Sequence, residues 1–300
     1  MSNARGADRA SLLLGIAAYS LWGVLPLYLH LLQAVPALQV LSHRVVWSLL
    51  LLAVIVVALR RVRSIAAAAR GRTLLFLLGS ATLIAINWLV YIWSVQNNHV
   101  LDASLGYFIN PLVNVALGVM VLGERLRRWQ GIAIGLAAIG VLLLTLHGGG
   151  ALWIPLALAL SFGGYGLLRK VAAIDALGGL TVETLLLGAP ALAVLLWANH
   201  TGTAAFGSSN RIDLLLIAAG AVTATPLLLF AAAAKRLPYT TMGLLQYIAP
   251  TLQFLEAVLL FGERVKPVHV ATFALIWSGC ALYAWDSLRA YRAAVRSEHR

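Results

Sequence analysis

The sequence predicts an all-α polytopic membrane protein with ten transmembrane helices arranged as two inverted five-helix repeats. Three observations carry this reading: an apolar composition, basic residues confined to alternate loops, and one short text that occurs twice. The 300 residues are 61% hydrophobic and 11% charged. A soluble domain carries about 25% charged residues. A soluble fold of this length would still need a charged surface, so the deficit points to lipid.

A helix crosses the hydrocarbon core with roughly 20 apolar residues. Windows of that kind fall at 10–32, 37–59, 73–96, 101–122, 129–146, 151–168, 179–198, 212–234, 240–261 and 267–286. The first follows a short basic stretch with Arg5 and Arg9 and runs on through aromatic residues. It reads as an uncleaved span, because a signal peptide has a shorter apolar region and a small-residue cleavage site. The fifth and sixth are separated only by His147 and a glycine run. The longest connection, near 199–211, is rich in Gly, Ser, Thr and Asn, and no separate soluble domain fits anywhere.

The basic residues set the direction. With the N-terminus cytoplasmic, that side holds Arg5, Arg9, Arg60, Arg61, Arg63, Arg70, Arg72, Arg125, Arg127, Arg128, Arg169, Lys170, Lys235, Arg236, Arg289, Arg292, Arg296 and Arg300. The other side holds Arg211, Arg264 and Lys266, and Arg44 lies inside a span. Eighteen against three is the split the positive-inside rule expects of ten spans with both ends cytoplasmic. Nine or eleven spans would put the basic tail outside. The +12 net charge therefore fits membrane topology and implies no nucleic-acid partner.

The duplicated text is Leu-x₅-Pro-x₁₁-Gly-Glu-Arg. It runs through Leu105, Pro111, Gly123, Glu124 and Arg125, and again, at one constant offset, through Leu244, Pro250, Gly262, Glu263 and Arg264. The same offset takes Ile109 to Ile248, Asn114 to Gln253 and Gly140 to Gly279. The copies begin spans 4 and 9. Five spans is an odd offset, so the copies run in opposite directions. The domains expected are a first repeat at 1–146, a second, inverted repeat at 151–288, and a basic cytoplasmic tail at 289–300. Inverted repeats let one central site face either side by rocking, an architecture of transporters.

Polar groups at membrane depth are costly, so each is a candidate for function. In span 4, Tyr107, Asn110 and Asn114 share one helical face at i, i+3 and i+7; in span 9, Gln246, Gln253 and Glu256 do so at i, i+7 and i+10. The repeat offset maps Tyr107 onto Gln246 and Asn114 onto Gln253. These faces are either interhelical hydrogen-bond glue or the lining of one central cavity, and their recurrence favours the cavity. Pro111 and Pro250 each remove a backbone donor, giving either a static kink or a hinge.

Span 2 carries His43 and Arg44. Arg44 either snorkels to the surface or offers a cation to a substrate carboxylate or an acidic side chain. Glu183 is too cytoplasmic in depth to partner it, whereas Asp102 and Glu256 lie toward the external half. Either acid is a candidate for proton coupling. Span 3 adds Asn87, Trp88 and Tyr91; Trp22, Tyr165 and Tyr247 complete the aromatic set, which suits an aromatic, amphipathic or cationic solute. Trp93 and Trp129 read as interfacial belt residues.

Enzymatic signatures are absent: there is no H-E-x-x-H, no G-x-S-x-G and no P-loop lysine after the Gly148-Gly149-Gly150 run. With Cys280 as the sole cysteine, neither an intrachain disulfide nor a multi-cysteine metal site can form. No cofactor and no metal are expected, and the chain reads as a non-enzyme. A membrane-embedded enzyme or lipid-handling protein is the alternative, and it would need an acid–base or nucleophile cluster at one interface.

Several runs resemble one family. Ser104-Leu105-Gly106-Tyr107-Phe108-Ile109-Asn110-Pro111-Leu112 followed by Gly123-Glu124-Arg125 is similar to the RarD branch of the EamA family, in the drug/metabolite transporter superfamily. So are His43-Arg44-Val45-Val46-Trp47-Ser48, Asn87-Trp88-Leu89-Val90-Tyr91, Tyr165-Gly166-Leu167-Leu168-Arg169-Lys170 and Gln246-Tyr247-Ile248-Ala249-Pro250-Thr251. The resemblance implies ten helices, two EamA repeats, the bacterial inner membrane, and movement of small metabolites or drugs, with amino acids among the solutes of relatives. It does not transfer a substrate. Glu256 stands where that branch is expected to carry a hydrophobic residue. The expected partners are a small-molecule substrate and the bilayer, with a monomer or homodimer as the working unit.

Overall fold

Long apolar runs with few helix breakers satisfy their own backbone only as helices when no water is at hand, and helices are what form. The computed structural model describes residues 2–122, 128–147, 152–234 and 245–298. Among them are α1 (Ser2–Gly23), α2 (Leu25–His30), α3 (Ala37–Ala58), α4 (Val62–Ala68), α5 (Arg72–Gln96), α6 (Val100–Leu122), α7 (Arg128–His147), α8 (Trp153–Val171), α9 (Ala176–His200), α10 (Asn210–Ala234), α11 (Ile248–Leu259) and α12 (Pro267–Glu298). Among the described residues, six stretches are long and apolar enough to cross a membrane: Ala10–His30, Ala37–Ala58, Arg72–Gln96, Ala176–His200, Asn210–Phe230 and Pro267–Asp286. The protein is thus an all-helical membrane protein.

Three departures from the expected spans have local causes. The first span is two helices. Pro26 sits in the first turn of α2, where a missing N–H is harmless, and the chain breaks between α1 and α2 at Val24. The ninth is also interrupted. Gln246 and Tyr247 form a turn and α11 begins at Ile248, so Pro250 again falls in a first turn. In the first copy the backbone at Pro111 lies within the unbroken α6. Finally, the basic loop after α3 folds into the short α4, with Arg60 and Gly71 in positive-φ conformations at its flanks.

The helices recur at the spacing of the repeated text. α3 and α9 begin at Ala37 and Ala176, and α7 and α12 at Arg128 and Pro267. Both pairs keep the offset that takes Leu105 to Leu244. Their contacts recur as well. Let α1, α3, α5, α6 and α7 exchange in order with α8, α9, α10, α11 and α12. The contact of α1 with α10 becomes that of α8 with α5, α1–α11 becomes α8–α6, and α3–α10 becomes α9–α5; α3–α9, α6–α11 and α7–α12 map onto themselves.

Small residues set how closely these helices approach, as in other membrane bundles. A Cβ on Gly220 of α10 would stand 2.7 Å from the Trp47 backbone of α3, and one on Gly106 of α6 would stand 3.0 Å from the Pro155 carbonyl of α8. The core runs through Leu29, Val40, Ile92, Leu105, Phe108, Leu158 and Ile276, all buried.

The second Gly-Glu-Arg turn is a cap that reaches across the molecule. Gly262, at φ +65°, lets the Glu263 N–H return to the Ala257 carbonyl at 2.9 Å. The Glu263 carboxylate then accepts from the N–H groups of Val100 (2.7 Å) and Leu101 (3.0 Å) at the start of α6. These are donors that an α-helix cannot satisfy internally. The first turn, 123–127, lies outside the described residues.

Candidate functional site

A cation at membrane depth must find partners or water, and Arg44 shows which partners this fold supplies. It sits on α3 and is 4% exposed. Its Nε donates to Thr223 Oγ1 on α10 at 3.0 Å, and that hydroxyl donates in turn to the Ala219 carbonyl at 2.7 Å. Its guanidinium lies 5.0 Å from the Trp88 ring centroid on α5, a cation–π contact. Nη1 is buried with no hydrogen-bond partner. The phenols of Tyr28, Tyr91 and Tyr107 surround it within electrostatic reach. Arg44 therefore does not snorkel; it is held in the middle of the bundle.

The tyrosines are tied to a second polar group. The Tyr107 hydroxyl donates to Asn87 Oδ1 at 3.1 Å. Asn87 Nδ2 donates to the Leu158 carbonyl and to Ser161 Oγ, both at 3.0 Å, on α8. Tyr91 packs edge-on against Tyr107 with ring centroids 5.5 Å apart, and Phe162 closes on Tyr107 at 6.2 Å. The Tyr91 hydroxyl is buried without a partner, as are both amide atoms of Asn110, one turn beyond Tyr107 on α6. Tyr28 directs its hydroxyl to the Leu215 carbonyl at 2.6 Å.

The helix α11 carries a further set of buried polar groups. Gln253 Nε2 donates to the Trp22 carbonyl at 3.2 Å, while its Oε1 has no partner. Glu256, one turn on, is 6% exposed. Its Oε2 is unbonded, and it acts electrostatically on Tyr91. Tyr91 is thus within reach of both Arg44 and Glu256. Trp22 packs against Tyr19 and Phe230 at 5.4 and 5.8 Å.

The remaining candidates fall elsewhere. His43 stacks on Phe206 of the 201–209 loop at 5.3 Å. Asp102, in the first turn of α6, is held by His99 at 3.0 Å rather than by Arg44. Tyr247 stacks on Phe108 at 6.4 Å and interacts with Cys280. Gln246 lies half-buried in the break before α11. The side chains of Asn114 and Pro111 lie outside the described residues.

Tyr165 belongs to a second buried charged cluster. It interacts with Arg169 and Glu183. Glu183 is 1% exposed; it accepts from Ser80 Oγ and faces Arg169 Nε at 3.6 Å. Arg169 also donates to the Asp175 carbonyl at 3.1 Å, and Asp175 pairs with Arg61 at 3.0 Å. Gly179 makes room for this: a Cβ there would overlap the Arg169 guanidinium. Sequence reasoning passed over Glu183 as a functional residue, and also missed Tyr28 and Thr223. The signal for Glu183 was available, because the repeat offset carries Arg44 onto it. Each is the eighth residue of its helix, α3 and α9.

An all-helical membrane chain with a buried polar cluster between its helices has the construction of a polytopic transporter. The chain belongs to the EamA-like transporter family, on its RarD branch. That family's model matches residues 9–146. An uncharacterized transporter of Vibrio cholerae is 47% identical over 291 residues, covering 96% of both chains. Protein RarD of Streptomyces exfoliatus is 46% identical over 291 residues, covering 96% of this chain and 92% of its own. A solved crystal structure, 20% identical, matches 91% of this chain and 96% of that chain with a TM-score of 0.59, and it shares the fold.

Proposed function

We propose that the chain is a secondary transporter that moves small metabolites or drugs across the bacterial inner membrane by alternating access. In this reading it has ten spans in two inverted repeats, 1–146 and 151–288, with both termini and the 289–300 tail cytoplasmic. One observation carries it. A Cβ on Gly140 of α7 would stand 3.2 Å from the Thr272 carbonyl of α12, and one on Gly279 of α12 would stand 2.7 Å from the Ala133 carbonyl of α7. The repeat offset takes Gly140 to Gly279, and it takes Ala133 to Thr272. A contact in which i meets j′ and i′ meets j is the mark of a two-fold relation, and it supports two halves able to rock against each other.

The substrate site in this reading lies among Arg44, Trp88, Asn87, Tyr91, Tyr107, Asn110, Gln253 and Trp22, with Asn114 and Gln246 as its repeat-related extensions. His43, Tyr165 and Tyr247 flank it. Pro111 and Pro250 act as hinges, and Glu256 or Asp102 carries a coupling proton. No cofactor or metal takes part, catalysis is not the function, and the working unit is a monomer or homodimer. Purified protein in vesicles should take up a small solute, with and without a pH gradient, from a metabolite and drug panel first ranked by thermal shift. Arg44→Ala or Asn114→Leu should impair that movement while leaving folded protein. Unchanged transport in both variants would remove the site.

A further inference from the structure

We propose that Arg44 and Tyr91 together form an anion site that takes the carboxylate of a small organic acid with an apolar or aromatic body. This rests on the transporter reading above and names its substrate class.

The repeat supplies the comparison. Arg44 and Glu183 hold equivalent places on α3 and α9, and both are buried. Glu183 meets its counter-charge inside the protein, in Arg169. Among the described residues no acid pairs with Arg44: Asp102 is held by His99 and Asp175 by Arg61. Glu256 reaches Tyr91 but makes no ion pair with Arg44. A charge at this depth is retained where its partner is supplied by function.

The free valences define the ligand. Arg44 uses Nε on Thr223 and rests on Trp88, leaving Nη1 buried and unbonded. Of the surrounding phenols, Tyr28 donates to Leu215 and Tyr107 to Asn87, while the Tyr91 hydroxyl is buried and unbonded. Both open groups can donate, and Tyr91 lies one turn beyond Trp88 on α5, on the helix face against which Arg44 rests. A guanidinium and a hydroxyl match the two oxygens of a carboxylate. An ammonium group finds only repulsion at Arg44. The aromatic faces of Trp88, Tyr91 and Tyr107 suit an apolar body.

The full-length protein, purified in detergent, tests this with two isosteric probes, phenylacetate and phenylacetamide, read by thermal shift and by tryptophan fluorescence. Phenylacetate should bind saturably and at least ten-fold more tightly than phenylacetamide. Arg44→Gln should remove that preference. Equal binding of the two probes, an undiminished preference in Arg44→Gln, or no saturable binding of phenylacetate overturns the anion site. Should Arg44→Gln fail to fold, Tyr91→Phe carries the test: it should weaken phenylacetate at least three-fold and leave phenylacetamide unchanged, and unchanged phenylacetate binding counts against the proposal. Vesicle uptake separates the two levels. Transport of neutral or cationic solutes that Arg44→Gln does not alter leaves the transporter standing and removes only the anion site. No transport of any solute class removes the transporter reading itself.

Discussion

Gly279 lies against the carbonyl of Ala133 so closely that a Cβ would stand 2.7 Å from the oxygen. The reciprocal contact, Gly140 against Thr272, has slightly more room at 3.2 Å, and there the Thr272 hydroxyl also donates to the Gly140 carbonyl at 3.1 Å. Overpacking a tight helix contact costs about 1–3 kcal/mol. Gly279→Ala should therefore lower the melting temperature more than Gly140→Ala does. Equal melting of the two variants would contradict the contact geometry.

Gly179 makes the same kind of space for a charge. A methyl group there would meet the Arg169 guanidinium, the far end of a flexible side chain, so Gly179→Ala should displace that tip at small cost, whereas Arg169→Ala leaves Glu183 buried without its counter-charge. Removing one member of a buried pair costs about 3–5 kcal/mol. Arg169→Ala should then destabilise far more than Gly179→Ala, and Gly179→Ala should cost nothing further once Arg169 is alanine. A fully additive double variant in a thermal or denaturant unfolding series would show that Gly179 and Arg169 act independently.

The Asn87–Tyr107 bond is a plain test of the polar cluster. Tyr107→Phe removes the donor to Asn87 Oδ1 and leaves a buried acceptor short of a partner, a loss of about 1–3 kcal/mol. Asn87→Leu removes that acceptor together with the bonds to Leu158 and Ser161, so Tyr107→Phe should cost less when added to Asn87→Leu than when made alone. Melting temperatures of the three variants check the order.

Much of this was legible in the sequence because periodicity and burial act locally. The Tyr107 and Asn87 faces were read from helical spacing, and they do meet. The offset of the repeated text is matched by the starts of α3 and α9. What sequence could not give was which polar atoms spend their hydrogen bonds on the protein itself. Tyr28 and Tyr107 spend theirs, and Tyr91 does not; that depends on helix depth and rotation to within an ångström. Tyr165 looked like a cavity residue by type, yet α8 turns it toward Glu183 and Arg169. The breaks at Val24 and at Gln246–Tyr247 were hidden for a different reason. Hydropathy records that a segment is apolar and is blind to a lost turn of hydrogen bonds.

Glu263 makes stability depend on pH in a defined direction. Burial pushes its carboxyl from an ordinary 4.5 up to about 7, although its bonds from Leu101 and Val100 pull the other way. The folded chain then holds this proton more tightly than the unfolded chain does. Its contribution is full below the ordinary carboxylate value and is lost as pH rises through about 7. The melting temperature should fall between pH 5 and 8, and Glu263→Gln should flatten that fall. An identical slope in wild type and variant would assign the pH dependence to other groups.

Under the transport mechanism proposed above, Glu256 is the candidate for the coupling acid. It is 6% exposed, its Oε2 has no partner, and it shares Tyr91 with Arg44. Asp102, the other acid considered, is engaged by His99 at the start of α6. A coupling acid must gain and lose its proton within the cycle, whereas an acid that only packs can be replaced by its amide. Glu256→Gln should therefore abolish the stimulation of uptake by a pH gradient and leave solute exchange, which needs no net proton movement, within about two-fold of wild type. Asp102→Asn should keep the stimulation. Glu256→Leu separates charge from shape: exchange that survives in it shows that the site tolerates a hydrophobic side chain and that the carboxyl serves coupling alone. Full stimulation in Glu256→Gln, measured in vesicles with an imposed gradient, would leave the proton to another group, whereas no stimulation in the wild type would show an uncoupled exchanger.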